Sequence, residues 1–313
     1  MMMKVLNMII LIITVMLSIA FFTLMERKLI SYMQNRKGPN KVALMGILQP
    51  ISDAIKLMSK ELNLNMKSNF MMYMISPAMN IMCSMIMWMT FPFMFNFNFM
   101  KMSLLFMISC SSFNTITVMI MSWSSNSNYA FIGMMRTIAQ LISYEINFMM
   151  IIIIMINLTE EINMNMLTKM QKYLPNLMFM PVLFTMWMMT ILAETNRTPF
   201  DFSEGESELI SGFNIEFSSN MFMLLFLAEY ASILIMSFLT TTLFINILPH
   251  SISFLTMYLM MASIFIWTRS TYPRFRYDKL MKLNWTQMLP STLFILFMVI
   301  MIKLYYTKMY HKN

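Results

Sequence analysis

Eight times along this chain the sequence runs for close to twenty residues with almost no charge: 5–25, 70–92, 102–122, 137–157, 173–193, 218–243, 251–268 and 284–302. A helix rises about 1.5 Å per residue, so ~20 apolar residues cross the ~30 Å of hydrocarbon in a bilayer. The repeated length points to an all-α fold class: a polytopic membrane protein with eight transmembrane helices, forming one integral-membrane domain over residues 1–313. Composition excludes a soluble fold. Hydrophobic residues make up 58% of the chain and charged residues 12%, against about a quarter charged in ordinary soluble domains. The stretch 217–268 is divided at Pro249-His250, where proline interrupts a helix. The first run continues directly into Glu26-Arg27-Lys28 with no small-residue cleavage site, so it reads as a retained span and not as a signal peptide.

The formal net charge is +8, but the Lys and Arg residues are embedded among apolar runs instead of covering a polar domain. Nucleic acid is therefore excluded as a partner. Eight spans place both termini on one face. The connections after the first, third, fifth and seventh spans carry 15 of the 22 Lys and Arg residues, which puts them on the matrix or cytoplasmic side.

Two cysteines, Cys83 and Cys110, and two histidines, His250 and His311, supply no ligand set for zinc or an iron–sulfur cluster. Five glycines form neither a Gly-x-Gly-x-x-Gly nor a Walker loop, so no nucleotide phosphate has a cradle. The 48 methionines replace Leu and Ile throughout the apolar runs without local clustering. That distribution argues against a copper array and for an AT-rich organellar gene, which points to a mitochondrion.

Two connections are long. The first, 26–69, contains a segment, 46–60, with Ile47, Ile51, Ala54, Ile55 and Met58 at helical spacing opposite Asp53, Lys56 and Lys60. A helix lying in the membrane interface is expected there. The other, 194–217, is acidic and aromatic. Glu194, Asp201, Glu204, Glu206, Glu208 and Glu216 face a single Arg197, with Phe200, Phe202, Phe213 and Phe217 interleaved. A solvated loop needs no aromatic anchors, so this one is expected to fold back on the helices and wall a crevice. The Ser/Asn run 122–128 reads as a short loop.

Two carboxylates fall inside spans, Glu145 in the fourth and Glu229 in the sixth. A charge at the bilayer centre costs ~3 kcal/mol on insertion scales, comparable with the cost of neutralising it at pH 7. Such a group sits close to its titration point, as a proton relay requires. The competing reading is a neutral, structural Glu bonded to its neighbour, Tyr144 or Tyr230. The last inward connection, Arg269-Ser-Thr-Tyr-Pro-Arg-Phe-Arg-Tyr-Asp278, suits a lipid phosphate, an acidic subunit or the polar end of an amphiphile. Arg36-Lys37-Gly38-Pro39-Asn40 in the first connection has the same range of partners.

Several blocks together carry a family signature: Glu26-Arg-Lys, Gln34-Asn-Arg-Lys-Gly-Pro-Asn40, Leu48-Gln-Pro, Asp53-Ala-Ile-Lys-Leu57, Ile142-Ser-Tyr-Glu145, Ala193-Glu-Thr-Asn-Arg-Thr-Pro-Phe-Asp201, Glu206-Ser-Glu-Leu209 and Tyr272-Pro-Arg-Phe-Arg-Tyr-Asp278. In order and over the whole chain they resemble the subunit 1 family of mitochondrial respiratory complex I, the NADH:ubiquinone oxidoreductase. Departures are mainly Met, Ile or Phe within spans and shortened turns, and they leave the charged positions intact.

The resemblance implies a proton-translocating enzyme subunit in the mitochondrial inner membrane, with odd-numbered connections in the matrix and both termini in the intermembrane space. It implies the membrane side of a ubiquinone tunnel, closed by cluster-bearing and 49-kDa-type subunits, with small membrane subunits alongside and phospholipids, including cardiolipin, around it. FMN and iron–sulfur clusters then belong to partner subunits, and this chain holds no cofactor. Arg27, Arg36 and Arg274, with Phe200 and Phe202, are expected to line the quinone path. The expected relay runs from Asp201, Glu204 and Glu206 through Glu194 to Glu145 and Glu229. Two charges ~6 Å apart at an effective dielectric of ~20 interact by ~2.8 kcal/mol, about two pK units, so one protonation shifts the next. A proton- or ion-coupled secondary transporter is the rival reading, although inverted repeats and Gly-broken helices are not visible. A purely structural anchor for a soluble arm is the third, and it leaves Glu145 and Glu229 without a purpose.

Overall fold

The computed structural model describes residues 2–63, 66–90, 101–171, 174–202, 216–245 and 251–310. These residues form helices and turns, with no strand among them. In chain order the helices are α1 (Met2–Met33), α2 (Gln49–Met58), α3 (Phe70–Met87), α4 (Ser103–Ser125), α5 (Asn128–Thr159), α6 (Met164–Met170), α7 (Asn176–Phe179), α8 (Pro181–Glu194), α9 (Ser219–Phe244), α10 (Ile252–Thr271), α11 (Tyr277–Lys282) and α12 (Leu289–Tyr310). Seven described helices are long and apolar enough to cross a membrane. The fifth expected span is the exception. Pro175 and Pro181 punctuate it, and the helix that Pro181 opens, α8, has 14 residues and is apolar but about 21 Å long, short of a full crossing. The structure therefore supports seven full-length spans and one abbreviated helix, where eight equal crossings were expected. Pro249 and His250, expected to separate α9 from α10, lie outside the described residues.

Three boundaries differ from the hydropathy pattern, each for a local reason. The run 122–128 is not a loop: Ser122, Ser124 and Ser125 return their hydroxyl hydrogens to carbonyls of the preceding turn, so α4 continues to Ser125. Asn126 then takes a left-handed φ of 53° and ends it. Ser127 accepts from the Ala130 amide and starts α5 well before residue 137. At the other end of the molecule, α1 does not stop at residue 25 but carries Glu26, Arg27 and Lys28 as helix to Met33.

The buried centre is built on aromatic contacts between α5, α8 and α9. Phe148 stacks on Trp187 with centroids 5.1 Å apart, and Trp187 meets Phe244 at 5.8 Å. α9 is the most enclosed helix, since nearly all of its second half is buried. Outward faces of α1 and α12 expose Ile9, Ile13, Leu17, Phe294, Phe297 and Met301, as a lipid-facing surface requires. A polar knot crosses this apolar interior. Asn147 of α5 donates to the Asn284 side-chain oxygen, Asn284 donates to Ser143 O at 2.7 Å, and Thr292 donates to Asn147 Oδ1 at 3.3 Å. Asn284 lies in a single π-helical turn, Leu283–Met288, that joins α11 to α12.

The amphipathic segment of the first connection is helical as expected, over Gln49–Met58. Its apolar side chains Ile51, Ile55 and Met58 remain largely exposed. Arg27 of α1 holds it through Asp53 at 2.5 Å, and Gln49 steadies the same carboxylate at 2.9 Å.

Candidate functional site

The site is organised by Glu26, a carboxylate only 5% exposed near the inner end of α1. Three donors converge on it from distant parts of the chain. Tyr230 of α9 donates to Oε2 at 2.5 Å; Arg269, in the last turn of α10, and Arg197, beyond α8, reach Oε1 at 2.5 and 3.2 Å. The Arg197 guanidinium also lies 4.7 Å over the Tyr230 ring, a cation–π contact. Burial works most strongly against the Arg197 charge, but Glu26, Tyr230 and Glu229 together outweigh it and lift the guanidinium above its ordinary value. Arg197 is thus a fixed cation, and the charge of Glu229 acts on it as well.

The segment that delivers Arg197 is held at several points. Thr195 Oγ1 donates to Ile191 O at 3.0 Å, Asn196 adopts φ 48°, and the Thr198–Pro199 peptide is cis. Gln140 of α5 donates to both Ala193 O and Phe200 O at 2.9 Å. The Phe275 amide donates to Pro199 O at 3.0 Å, which ties the segment to the connection between α10 and α11. Phe200 stacks on Phe275 with centroids 5.6 Å apart and Phe202 meets Tyr277 edge-on at 5.9 Å. Through 202 the acidic, aromatic loop does fold back on the helices. Phe200 and Phe202 are buried in the core and act there as its anchors. At the loop's far end Phe217 stacks on Tyr73 at 4.5 Å, and Tyr73 donates to Glu216 O. Glu204, Glu206, Glu208 and Phe213 lie outside the described residues.

Three cavities follow one another from this centre. The first, about 720 Å³, opens between α1 and α10 and is lined by Glu26, Arg27, Ile30, Tyr230 and Arg269. The second, about 130 Å³, shares Tyr230 and Arg269 with it and adds Arg197, Asp201 and Glu229. The third, about 40 Å³, shares Asn196 and Glu229 with the second and reaches Glu194. Glu145, on α5, is near enough for its charge to act on Glu194. The structure therefore brings Asp201, Glu229, Glu194 and Glu145 into one succession. Arg274 pairs with Asp201 at 3.4 Å at the second cavity. Arg36 lines an adjoining hollow of about 550 Å³ with Lys37 and Gly38, which shares Arg27, Ile30 and Gln34 with the first cavity.

The tyrosine-bonded alternative for Glu145 and Glu229 does not match the geometry. The Tyr230 hydroxyl goes to Glu26, and the Tyr144 hydroxyl points to Leu280 O at 3.5 Å. Sequence reasoning missed Glu26 as the centre because it was grouped with the basic residues after a span taken to end at 25. Its partners lie up to 243 positions away, so no spacing could reveal them. Among the described residues no three His, Cys, Asp or Glu side chains come together as a metal site.

The sequence model of the family described as NADH dehydrogenase matches residues 6–300. Among curated proteins, the chain is 45% identical over 299 residues to NADH-ubiquinone oxidoreductase chain 1 of Aedes aegypti, covering 96% of each chain. It is 45% identical over 298 residues to the protein of the same name from Locusta migratoria, covering 95% of each. A third, from Papio hamadryas, is 43% identical over 301 residues, covering 94% of this chain and 95% of that one.

Proposed function

We infer the function from one premise: the chain belongs to the NADH dehydrogenase family, which spans nearly all of its length. It is a core membrane subunit of the NADH:ubiquinone oxidoreductase, respiratory complex I, and so a component of an inner-membrane, multi-pass enzyme. Nothing favours the transporter alternative. Its partners are the other complex I subunits, among them the quinone-site and cluster-bearing ones that would hold FMN and the iron–sulfur clusters. The Arg27, Arg36 and Arg269 side is assigned to the matrix, where those subunits dock, and cardiolipin is a fitting neighbour for its cations.

Within that assembly this chain builds the membrane wall of the ubiquinone path and passes protons away from it. The observation that carries the reading is the succession of cavities from the cationic opening at Arg27 and Arg269, past Asp201 and Glu229, to Glu194 and its neighbour Glu145. Ubiquinone has a greasy tail and a small polar head, which calls for an apolar approach ending in polar groups. Reduction to ubiquinol takes two electrons, delivered by the partner subunits, and two protons. The acids nearest the head group supply those protons and refill through their neighbours. Glu26, locked by Tyr230 and two arginines, anchors the walls around this path instead of carrying protons.

The test uses the intact complex carrying Glu145→Gln or Glu229→Gln. Oxidation of NADH by an artificial acceptor, chemistry of the partner subunits, reports assembly. Proton translocation linked to quinone reduction is expected to fall at least tenfold, in line with the value of a positioned proton-transfer group. Undiminished pumping in both variants overturns the relay. A tailed azido-quinone that labels only surfaces remote from the end of α1 and from residues 195–202 overturns the quinone path.

A further inference from the structure

The third cavity sits where α3 and α4 face the end of α8 and the middle of α9. It contains two polar atoms, Glu194 Oε2 and Asn196 Oδ1, that are shielded from solvent and have no hydrogen-bond partner among the described residues. A buried acceptor left unpaired costs about 1–3 kcal/mol, so two in one cavity call for a donor to fill it. Neither α8 nor α9 supplies one. From the opposite wall come Asn80 of α3 and Asn114 of α4, two carboxamides in helices otherwise facing lipid or core.

Thr117 lies between these two carboxamides. Its hydroxyl donates to Asn114 O at 2.7 Å and lies 3.3 Å from the side-chain oxygens of Asn80 and Asn114. Each carboxamide carries an NH₂ group with two hydrogens to give, and both residues line the cavity. A volume of about 40 Å³ exceeds the ~10–15 Å³ a single water needs, and the lining offers more than the two to four polar partners such a water requires.

We propose that this cavity is a binding site for one or two ordered waters that bridge Glu194 to Glu229, and that Asn80 and Asn114 are the positioning residues that hold them. The carboxamide NH₂ groups donate to water oxygen. The water hydrogens are then directed to Glu194 Oε2 on one side and to Glu229 on the other. Protonation of one carboxyl is relayed by shifting one O–H bond to a hydrogen bond at each partner, with no net charge left on the water. The inference rests on the relay proposed above and adds what connects two of its members.

The experiment uses the whole complex with Asn80→Leu, Asn114→Leu and the double replacement, beside Asn80→Ser and Asn114→Ser, with rates normalised to NADH oxidation by an artificial acceptor. Leucine removes the donors and fills the space, so quinone-linked proton translocation is expected to drop about tenfold in the double variant and its solvent deuterium isotope effect to change. Serine leaves a hydroxyl and room for water, and is expected to restore translocation to within about twofold of the unaltered complex. Translocation unchanged in the double leucine variant, while Glu194→Gln and Glu229→Gln abolish it, overturns the water site and leaves the relay standing. Translocation unchanged in the glutamine variants removes the relay itself. If the leucine variants fail to assemble, a density map of the unaltered complex decides. A water-sized peak within hydrogen-bonding distance of Glu194 Oε2 and an asparagine NH₂ supports the site, and no peak there overturns it.

Discussion

Tyr230 gives its hydroxyl hydrogen to Glu26, 204 residues earlier in the chain and 2.5 Å away, and not to the adjacent Glu229. That single bond gives the two acids different surroundings. Glu26 is saturated by donors and locked as a carboxylate between cations. Glu229 instead lines the second and third cavities.

Replacing Glu26 by Gln leaves Arg197 buried without its counter-charge. Breaking a buried pair by removing one partner costs about 3–5 kcal/mol, and the more exposed Arg269 adds little to that. The yield of assembled complex and its thermal midpoint are expected to fall sharply. Tyr230→Phe removes one donor of three and is expected to cost about 1–3 kcal/mol, so thermal unfolding should rank the two variants in that order.

Gln140 is the clamp between α5 and the segment after α8. Gln140→Leu strips the donors from Ala193 O and Phe200 O, both buried, at about 1–3 kcal/mol for each orphaned carbonyl. The expected signature is local: faster protease cleavage within 195–217 in the purified complex, with α5 itself unaffected.

Two glycines of the first connection should differ in their tolerance of alanine. A Cβ on Gly46, at φ 79°, would meet the Pro39 carbonyl oxygen at 2.3 Å, and that backbone cannot step aside. On Gly38, at φ 66°, it would meet Ser31 Oγ at 2.6 Å, a side chain that can rotate away. Both substitutions carry about 1 kcal/mol or more of left-handed strain, but Gly46→Ala is expected to lower quinone-linked turnover clearly more than Gly38→Ala.

The Asn147–Asn284 pair offers a double-mutant cycle. Either Asn→Leu change alone takes one hydrogen bond from the other carboxamide in an apolar interior, at about 1–3 kcal/mol, whereas the double change removes both carboxamides at once. The double variant is expected to be destabilised by less than the sum of the singles, as measured by thermal unfolding of the complex.

Much of this architecture is legible in the sequence because bilayer thickness imposes a length on apolar runs. The short amphipathic helix is legible too, since Ile51, Ile55 and Met58 fall on one side of it. The failures have specific causes. Serines 122, 124 and 125 look like a loop until their hydroxyls find carbonyls one turn back. Paired prolines shorten the fifth run in a way that a hydropathy average conceals. Glu145, Glu194, Asp201 and Glu229 stand out by being acids in greasy surroundings, and the structure brings them together. Glu26 and the two asparagines do not stand out. Their roles depend on neighbours supplied by other helices, which only tertiary packing defines.

Because α1 stays helical through Glu26 and Arg27, consecutive residues of one stiff rod grip two different bodies, the interior polar cluster and the surface helix α2. No flexible joint lies between the two grips. A push on α2 from a docked subunit or an inserted lipid tail is therefore transmitted as a twist of the rod, and the inner acid feels it one residue away.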